Sequence, residues 1–272
     1  NDGAEVGSAA GVRTMMAHPD VKVWLKRNTF RDASLNNRAL ATGQYHTEVL
    51  NEVPHFRIPV PERTPPIPVS ADMAGKIRLL PTAGLDLFAP LRRTVPAWND
   101  RSVDLVFAGF VDYPPTFHHD DVTRLLAGRH RRAAVEEVSR LRDLSIVLGV
   151  NRSLDVDLYR DILLRSSISV SPWGLGEYAY RDYESILAGC VMVKPLTDHV
   201  RTFAPDIYQS GTYYRACRPD FADLSVVVED ILADRDGAAA LAVRAREDLL
   251  EANGPDPVHA HFLEIFNTAL TG

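Results

Sequence analysis

Hydrophobic patterning changes character near residue 100. Beyond it, short unbroken apolar runs alternate with segments whose apolar positions recur every three or four residues. Residues 103–109 (VDLVFAG) predict a buried strand, residues 130–143 a helix carrying Val135, Val138 and Leu141, and residues 145–150 (SIVLGV) a second strand. A short helix over 157–166 and a third strand over 168–171 follow, then a helix over 180–188 stopped by Gly189 and a fourth strand over 191–194. Residues 212–216 add a fifth. From Asp220 a helix with Leu224, Val227, Val228 and Ile231 on one stripe precedes two more helical segments. Strands alternating with helices predict βαβ crossovers and a parallel sheet. The fold class expected is α/β, with residues 100–272 a Rossmann-like lobe that takes its ligand at the carboxyl ends of the strands.

The first hundred residues are patterned more weakly. Residues 21–25 suit a short strand and residues 31–38 a loop or poor helix. Prolines at 54, 59, 61, 65, 66, 68, 81, 90 and 96 exclude a regular helix or central strand, so this stretch reads as an extended connector. Residues 1–99 are therefore expected to be a shorter, reduced or truncated N-terminal lobe with a Pro-rich connector. The chain opens at Asn1 with neither methionine nor leader, which reads as processing or trimming and leaves a removed targeting or anchor segment open.

Composition narrows the function classes. The 272 residues are enough for one large domain or two lobes. Hydrophobic residues at 46% and charged residues at 24% are the balance of a soluble globular chain. No run approaches the roughly 18 apolar residues of a membrane span. Thirty basic against thirty-six acidic side chains, a net charge of -6, argue against broad capture of nucleic acid. Two cysteines, Cys190 and Cys217, cannot form a disulfide scaffold or a four-thiolate zinc site. They read as buried thiols in a reducing compartment, and the expected location is cytoplasmic.

Residues 169–195, SVSPWGLGEYAYRDYESILAGCVMVKP, carry the densest chemistry. Strand, glycine loop, charged helix start and strand follow without spare residues. Gly174 and Gly176 permit close approach of a bound group, and the free N–H donors of the next helix suit a phosphate. Arg181 sits in the first turn, where the helix dipole disfavours a cation by up to about 1 kcal/mol, a cost that a bound anion offsets. Glu184, three residues on, can accept both hydroxyls of a ribose. The plainer alternative is an exposed i,i+3 ion pair of Arg181 and Glu184 worth about 0.2 to 0.5 kcal/mol. Tyr178, Tyr180 and Tyr183 can frame a base or sugar, or simply pack.

The run Ser171-Pro172-Trp173-Gly174, then Tyr180-Arg181-Asp182-Tyr183-Glu184, then residues 188–195 (AGCVMVKP), resembles the donor-binding motif of GT-B glycosyltransferases, closest to exostosin-like and family-1-like members. The resemblance extends to Phe107-Ala108-Gly109 and to the basic cluster at 129–132, and spans about residues 100–235. It implies a C-terminal lobe that holds a UDP- or GDP-linked sugar and transfers the sugar to a glycan or small-molecule acceptor, with no separate cofactor. It places Arg181 near the diphosphate and Glu184 on the ribose. Gly109, Arg131, Ser171, Trp173, Gly174, Gly176 and Tyr180 complete the expected donor site. It also implies a final helix, over 259–270, packed across an interlobe cleft. A full GT-B enzyme has two such lobes, and only about 100 residues precede Val103, so no catalytic base is assigned. His18, His46 and Glu48 are upstream candidates because they ionise usefully.

Two other function classes compete. Residues 174–179 (GLGEYA) also match the dinucleotide fingerprint, with Asp198 as ribose acid, which suggests an NAD-dependent oxidoreductase. That fingerprint ordinarily follows the first strand of its unit, and here two strands come before it. A non-catalytic nucleotide- or glycan-binding subunit is the other. For metal, His118-His119-Asp120-Asp121 and the pair His259 and His261 lack ligand geometry, and Asp155-Val156-Asp157 reads as an N-cap. With no Asp-x-Asp element beside the glycine loop, metal-independent transfer is expected.

Overall fold

The structure, a computed structural model, describes residues 10–38, 40, 42, 44–60, 68–84, 86–113, 120–151 and 154–271. His118 and His119 lie outside the described residues. The first hundred residues supply helix α1 (Ala10–Ala17), strands β1 (Trp24–Lys26) and β2 (Asn28–Phe30), helices α2 (Tyr45–Glu52) and α3 (Ala71–Gly75), and strand β3 (Ile77–Leu79). Then come β4 (Val103–Gly109), α4 (Asp121–Arg140), β5 (Ile146–Val150), α5 (Val156–Arg165), β6 (Ser166–Val170), α6 (Tyr180–Leu187), β7 (Val191–Pro195), β8 (Val200–Thr202), β9 (Arg215–Cys217), α7 (Leu224–Ala233), α8 (Arg235–Ala252) and α9 (Pro255–Thr271).

Five strands form one parallel sheet in the order β5-β4-β6-β7-β9. Numbered within the sheet, this is 2-1-3-4-5, a doubly wound α/β arrangement compatible with a Rossmann-like lobe. Side-chain alternation builds a core on each face. Leu105 and Phe107 of β4, with Ile168, Val170, Val191 and Val193, pack with Ala134 and Val138 of α4 and Leu224, Val228 and Ile231 of α7. Val106 and Met192 point the other way, into a cluster with Ile162 and Leu163 of α5, Ile186 and Leu187 of α6 and Leu249 of α8. Each such aliphatic side chain contributes about 1.5–3 kcal/mol on burial, so both faces of the sheet are held by packed helices.

Local chemistry sets the helix ends. Asp120 caps α4 by accepting from Thr123 N at 3.0 Å, and Asp155 caps α5 by accepting from Asp157 N at 2.9 Å. Gly189 ends α6 with φ +73°, where a side chain would be strained. Helix α4 thus begins nine residues before the expected 130. The Pro-rich stretch is not a plain extended connector: it holds α3, β3 and 3-10 turns at Thr82–Gly84 and Asp86–Arg92. Short turns and a three-residue strand tolerate prolines around or, as Pro90 in Asp86–Arg92, within them, which a long helix does not. The amino-terminal part is joined to the main lobe by antiparallel pairing of β2 with β8, and β1 pairs with β3 in a separate two-stranded sheet.

Among the described residues, no helix is long and apolar enough to cross a membrane. Cys190 and Cys217 are free and buried, and burial pushes the Cys190 thiol up to about 11.

Candidate functional site

In the 2-1-3-4-5 order the chain leaves β4 toward one edge for β5 and returns to the other side for β6. The carboxyl ends of β4 and β6 therefore flank the switch point, where open α/β sheets leave a crevice. Gly109 ends β4, and Gly174 opens the loop after β6.

Two arginines meet there. A methyl group added at Gly109 would stand 2.9 Å from both Arg181 Nη1 and Nη2 and 3.2 Å from Arg131 Nη1; at Gly174 it would stand 3.0 Å from Arg131 Nη2 and 3.4 Å from the Tyr113 hydroxyl. Only glycine leaves room for the guanidinium groups so near the backbone. Arg131, 7% exposed, donates Nε to the Trp173 carbonyl at 3.1 Å and Nη1 to the Phe110 carbonyl at 3.0 Å. Its charge is thus fixed in place by neutral oxygens. Burial, with Arg181 adding repulsion, pushes Arg131 down to about 10, and it stays a cation at neutral pH. Arg181, in the first turn of α6, has Nε and Nη1 buried with no hydrogen-bond partner. Two like charges thus stand close together, and the buried donors of Arg181 without partners are costly.

Arg181 and Glu184 do not form the i,i+3 ion pair. Glu184 Oε2 instead accepts from the Tyr159 hydroxyl of α5 at 3.2 Å. Burial raises the Glu184 carboxyl above its ordinary value, with Arg181 acting against the rise. It also raises Tyr159, so the phenol keeps its proton and donates.

The glycine loop is clasped from α4. His130 Nε2 accepts from Trp173 N–H at 3.1 Å while its Nδ1 donates to the Pro219 carbonyl at 2.9 Å, the arrangement of a neutral ring. Burial holds His130 well below its ordinary value, in agreement. His130 and Arg131 together thus grip the N–H and C=O of one residue.

Four expected donor contacts fall elsewhere. Ser171 is turned inward, its hydroxyl donating to Asp182. Trp173, 1% exposed, is core: its ring stacks on His130 and Nε1 donates to Thr197 Oγ1 at 2.9 Å. Gly176 is buried and accepts from Gly174 N at 3.1 Å, which tightens the loop. Tyr180 packs edge-on to Phe88 beneath Arg27, 4.9 Å from its ring centre. In each case apolar burial or an internal hydrogen bond claims the group that the sequence pattern offers to a ligand. Tyr178 and Tyr183 are buried in the same aromatic cluster.

The sequence reading missed Tyr113, Tyr159, and a buried knot at the start of α6. Asp182 accepts from Ser171, Tyr208 and the Ala179 N–H, and pairs with Lys194 Nζ at 3.2 Å, both side chains fully buried. Burial lowers Lys194 from its ordinary value, opposed by Asp182. The knot fixes the turn that presents Arg181.

The upstream base candidates are placed differently from one another. His18 is exposed beside Asp20. Glu48 accepts from the Thr42 N–H and hydroxyl. His46 is buried behind the glycine loop, its Nδ1 3.6 Å from Glu177 Oε2, and His199 Nε2 stands 3.4 Å from Glu177 Oε1. Burial lowers His46; Glu177, which burial alone would raise, is held down at about 2 by the His199 hydrogen bond and the histidine charges. Asp198 Oδ1 accepts from the Tyr214 hydroxyl and the Ser210 N–H. His261 Nε2 bonds the Leu79 carbonyl at 2.7 Å, and no group of three or more metal-ligating side chains assembles among the described residues. No protein-family model and no curated protein matches the chain.

Proposed function

We propose that the chain is a glycosyltransferase that binds a UDP- or GDP-linked sugar at the β4–β6 switch point and transfers the sugar to a glycan or small-molecule acceptor. The observation that carries this reading is the convergence of Arg131 and Arg181 on Gly109, with two donors of Arg181 unused. A diphosphate supplies two negative charges and several acceptor oxygens beside Gly109 and Gly174, where the guanidinium groups come close to backbone that carries no side chain. As the bond from the sugar carbon to the diphosphate oxygen breaks, charge grows on the leaving group, and fixed guanidinium groups in a low-dielectric crevice stabilise it. Arg131 is held by backbone carbonyls before ligand arrives, so little reorganisation is needed. Glu184 stands one helical turn from Arg181, at a spacing that suits ribose hydroxyls on one side of the diphosphate. The GT-B-like motif adds the same assignment of Arg181 and Glu184.

A thermal-shift panel of UDP, GDP, ADP and NAD tests the reading. A ligand at 100 times its dissociation constant adds about 2.7 kcal/mol of stability. UDP or GDP is expected to raise Tm more than NAD. A shift with NAD alone would move the assignment to an oxidoreductase, and nucleotide binding without turnover of any nucleotide sugar would favour a non-catalytic binding subunit.

A further inference from the structure

A second concave surface shares no residue with the arginine cleft. It is a groove of about 420 Å3 between the β2–β8 pair and β3, bounded at one end by His261 of α9. Arg31, Arg78 and Arg201 line it, and no carboxylate is among its lining residues. The chain as a whole carries a net charge of -6, so this groove has the opposite sign to the molecule around it.

The three arginines are held differently. Arg31 is anchored, donating Nε to the Asp198 carbonyl at 3.0 Å and Nη2 to Asp206 at 2.7 Å. Arg78 donates Nη1 to the Gly75 and Ile77 carbonyls at 2.7 and 2.9 Å, which orients the side chain while its charge stays uncompensated. Arg201 is exposed and stands opposite Thr29 in the antiparallel β2–β8 register, so the two side chains leave the same face of the ribbon. Between them the wall is apolar. Phe203, half-buried, packs its ring on His261 at 4.6 Å and borders the groove, with Ile77 and Leu79 beside it.

An aromatic face bordered by guanidinium groups is the chemistry that recognises a charged sugar. The C–H face of a pyranose packs on the ring, and a planar guanidinium takes a carboxylate or sulfate in a two-point contact. A neutral sugar leaves the Arg78 and Arg201 charges unused, and a bare anion leaves the apolar wall uncovered. We propose that this groove binds an acidic oligosaccharide through Arg78, Arg201 and the Phe203 wall. The inference stands whether or not the arginine cleft takes a nucleotide sugar.

Calorimetric titration of the full chain with tetragalacturonate at low ionic strength tests it, with cellotetraose as the neutral arm and sodium sulfate as the free-anion arm. Tetragalacturonate is expected to bind, and the other two not to bind at the same concentration. Arg78→Gln and Arg201→Gln are each expected to weaken binding about tenfold, the loss of one charge-assisted contact. Arg140→Gln and Arg165→Gln, which remove exposed arginines on α4 and α5, are expected to leave it unchanged. Arg201 is exposed and its loss does not threaten folding. Absence of tetragalacturonate binding, equal binding of cellotetraose, sulfate binding as tightly as the oligosaccharide, or equal loss in the Arg140 and Arg165 variants would each overturn the proposal. A UDP thermal shift measured on the same variants reads the arginine cleft separately.

Discussion

Arg131 and Arg181 approach the same point from two helices: the position of a Cβ at Gly109 lies 3.2 Å from Arg131 Nη1 and 2.9 Å from Arg181 Nη1. The contacts under 3.0 Å are both with the far end of Arg181, so a methyl group there displaces that guanidinium without disturbing backbone. Gly109→Ala is therefore expected to change unfolding free energy by less than about 1 kcal/mol. It is expected to lower nucleoside diphosphate affinity about tenfold, the loss of one charge-assisted contact. Urea denaturation and calorimetric titration check the two halves. A large stability loss with unchanged affinity would mean that Gly109 serves the fold and not a ligand.

Asp182 lies between Arg181 and Tyr183 in sequence but faces inward, paired with Lys194 where both side chains are fully buried. Removing one member of a buried ion pair leaves the other charge unpaired, at a cost of about 3–5 kcal/mol. Asp182→Asn is expected to lose stability of that order, and Asp182→Asn with Lys194→Met to recover a large part of it, because the orphaned cation is gone. Chemical denaturation of the single and double variants measures this. No recovery in the double variant would locate the cost in the hydrogen bonds from Ser171, Tyr208 and Ala179 instead.

The sheet was legible because its strands are short apolar runs with little competing pattern: residues 103–109 coincide with β4, and the helix over 180–188 with α6 to within a residue. The front half of α4 was not, because Thr123, Leu126, Ala127 and His130 are buried against other elements without forming a clear apolar stripe. Asp120 as an N-cap was the available signal. In the first hundred residues β2 owes its existence to β8, some 170 positions later, and no local window carries that pairing. Within the site, Arg181, Gly174 and Gly109, which the motif singles out, and Arg131, from the basic cluster, are brought together at the ends of β4 and β6. Tyr159 was not legible, since its role depends on how α5 lies beside α6. Trp173 and Ser171, singled out by the same run, are turned inward, where they bond to Thr197 and Asp182.

The buried Glu177 between His46 and His199 predicts how stability depends on pH. Glu177 has an ordinary value of 4.5 and is held at about 2 in the fold, so its contribution is present above pH 4.5 and is lost as pH falls toward 2. His46 is lowered from 6.5 by burial, so the unfolded chain takes up the proton more readily and stability is lost as pH falls below 6.5. Both effects have the same sign. Unfolding free energy is expected to decline steadily from about pH 6.5 downward, with Glu177 contributing to the fall below 4.5. Glu177→Gln is expected to flatten that lower limb. An unchanged slope between pH 4.5 and 2 in the variant would remove Glu177 as its source.

Two guanidinium groups, that of Arg131 held by backbone carbonyls, supply the positive charge that a divalent ion supplies to a diphosphate in other sites. Sugar transfer, or slow hydrolysis of the donor, is therefore expected to persist in EDTA. Activity that vanishes on chelation and returns with manganese would contradict this and would redirect attention to Asp155 and Asp157.

The separate roles given to Arg181 and Glu184 differ in which ligand each change should damage. An exposed ion pair would predict stability changes under about 0.5 kcal/mol for both variants and no effect on binding. The geometry predicts otherwise, because Arg181 Nη1 has no hydrogen-bond partner and lies beside Gly109, and Glu184 is engaged by Tyr159 instead of Arg181. Arg181→Ala is expected to cost about 1.5–3 kcal/mol of diphosphate affinity. It is expected to cost much less with the free nucleoside, which has no phosphate for the arginine to hold. Glu184→Gln is expected to weaken nucleoside and diphosphate alike, since both contain ribose. Because burial raises the Glu184 carboxyl, ribose contact should also weaken as pH falls through that raised value, and this decline should be absent in Glu184→Gln. Titrating both variants with uridine, guanosine and the matching diphosphates separates the two roles, and unchanged affinities in both would return these residues to the surface of an ordinary helix.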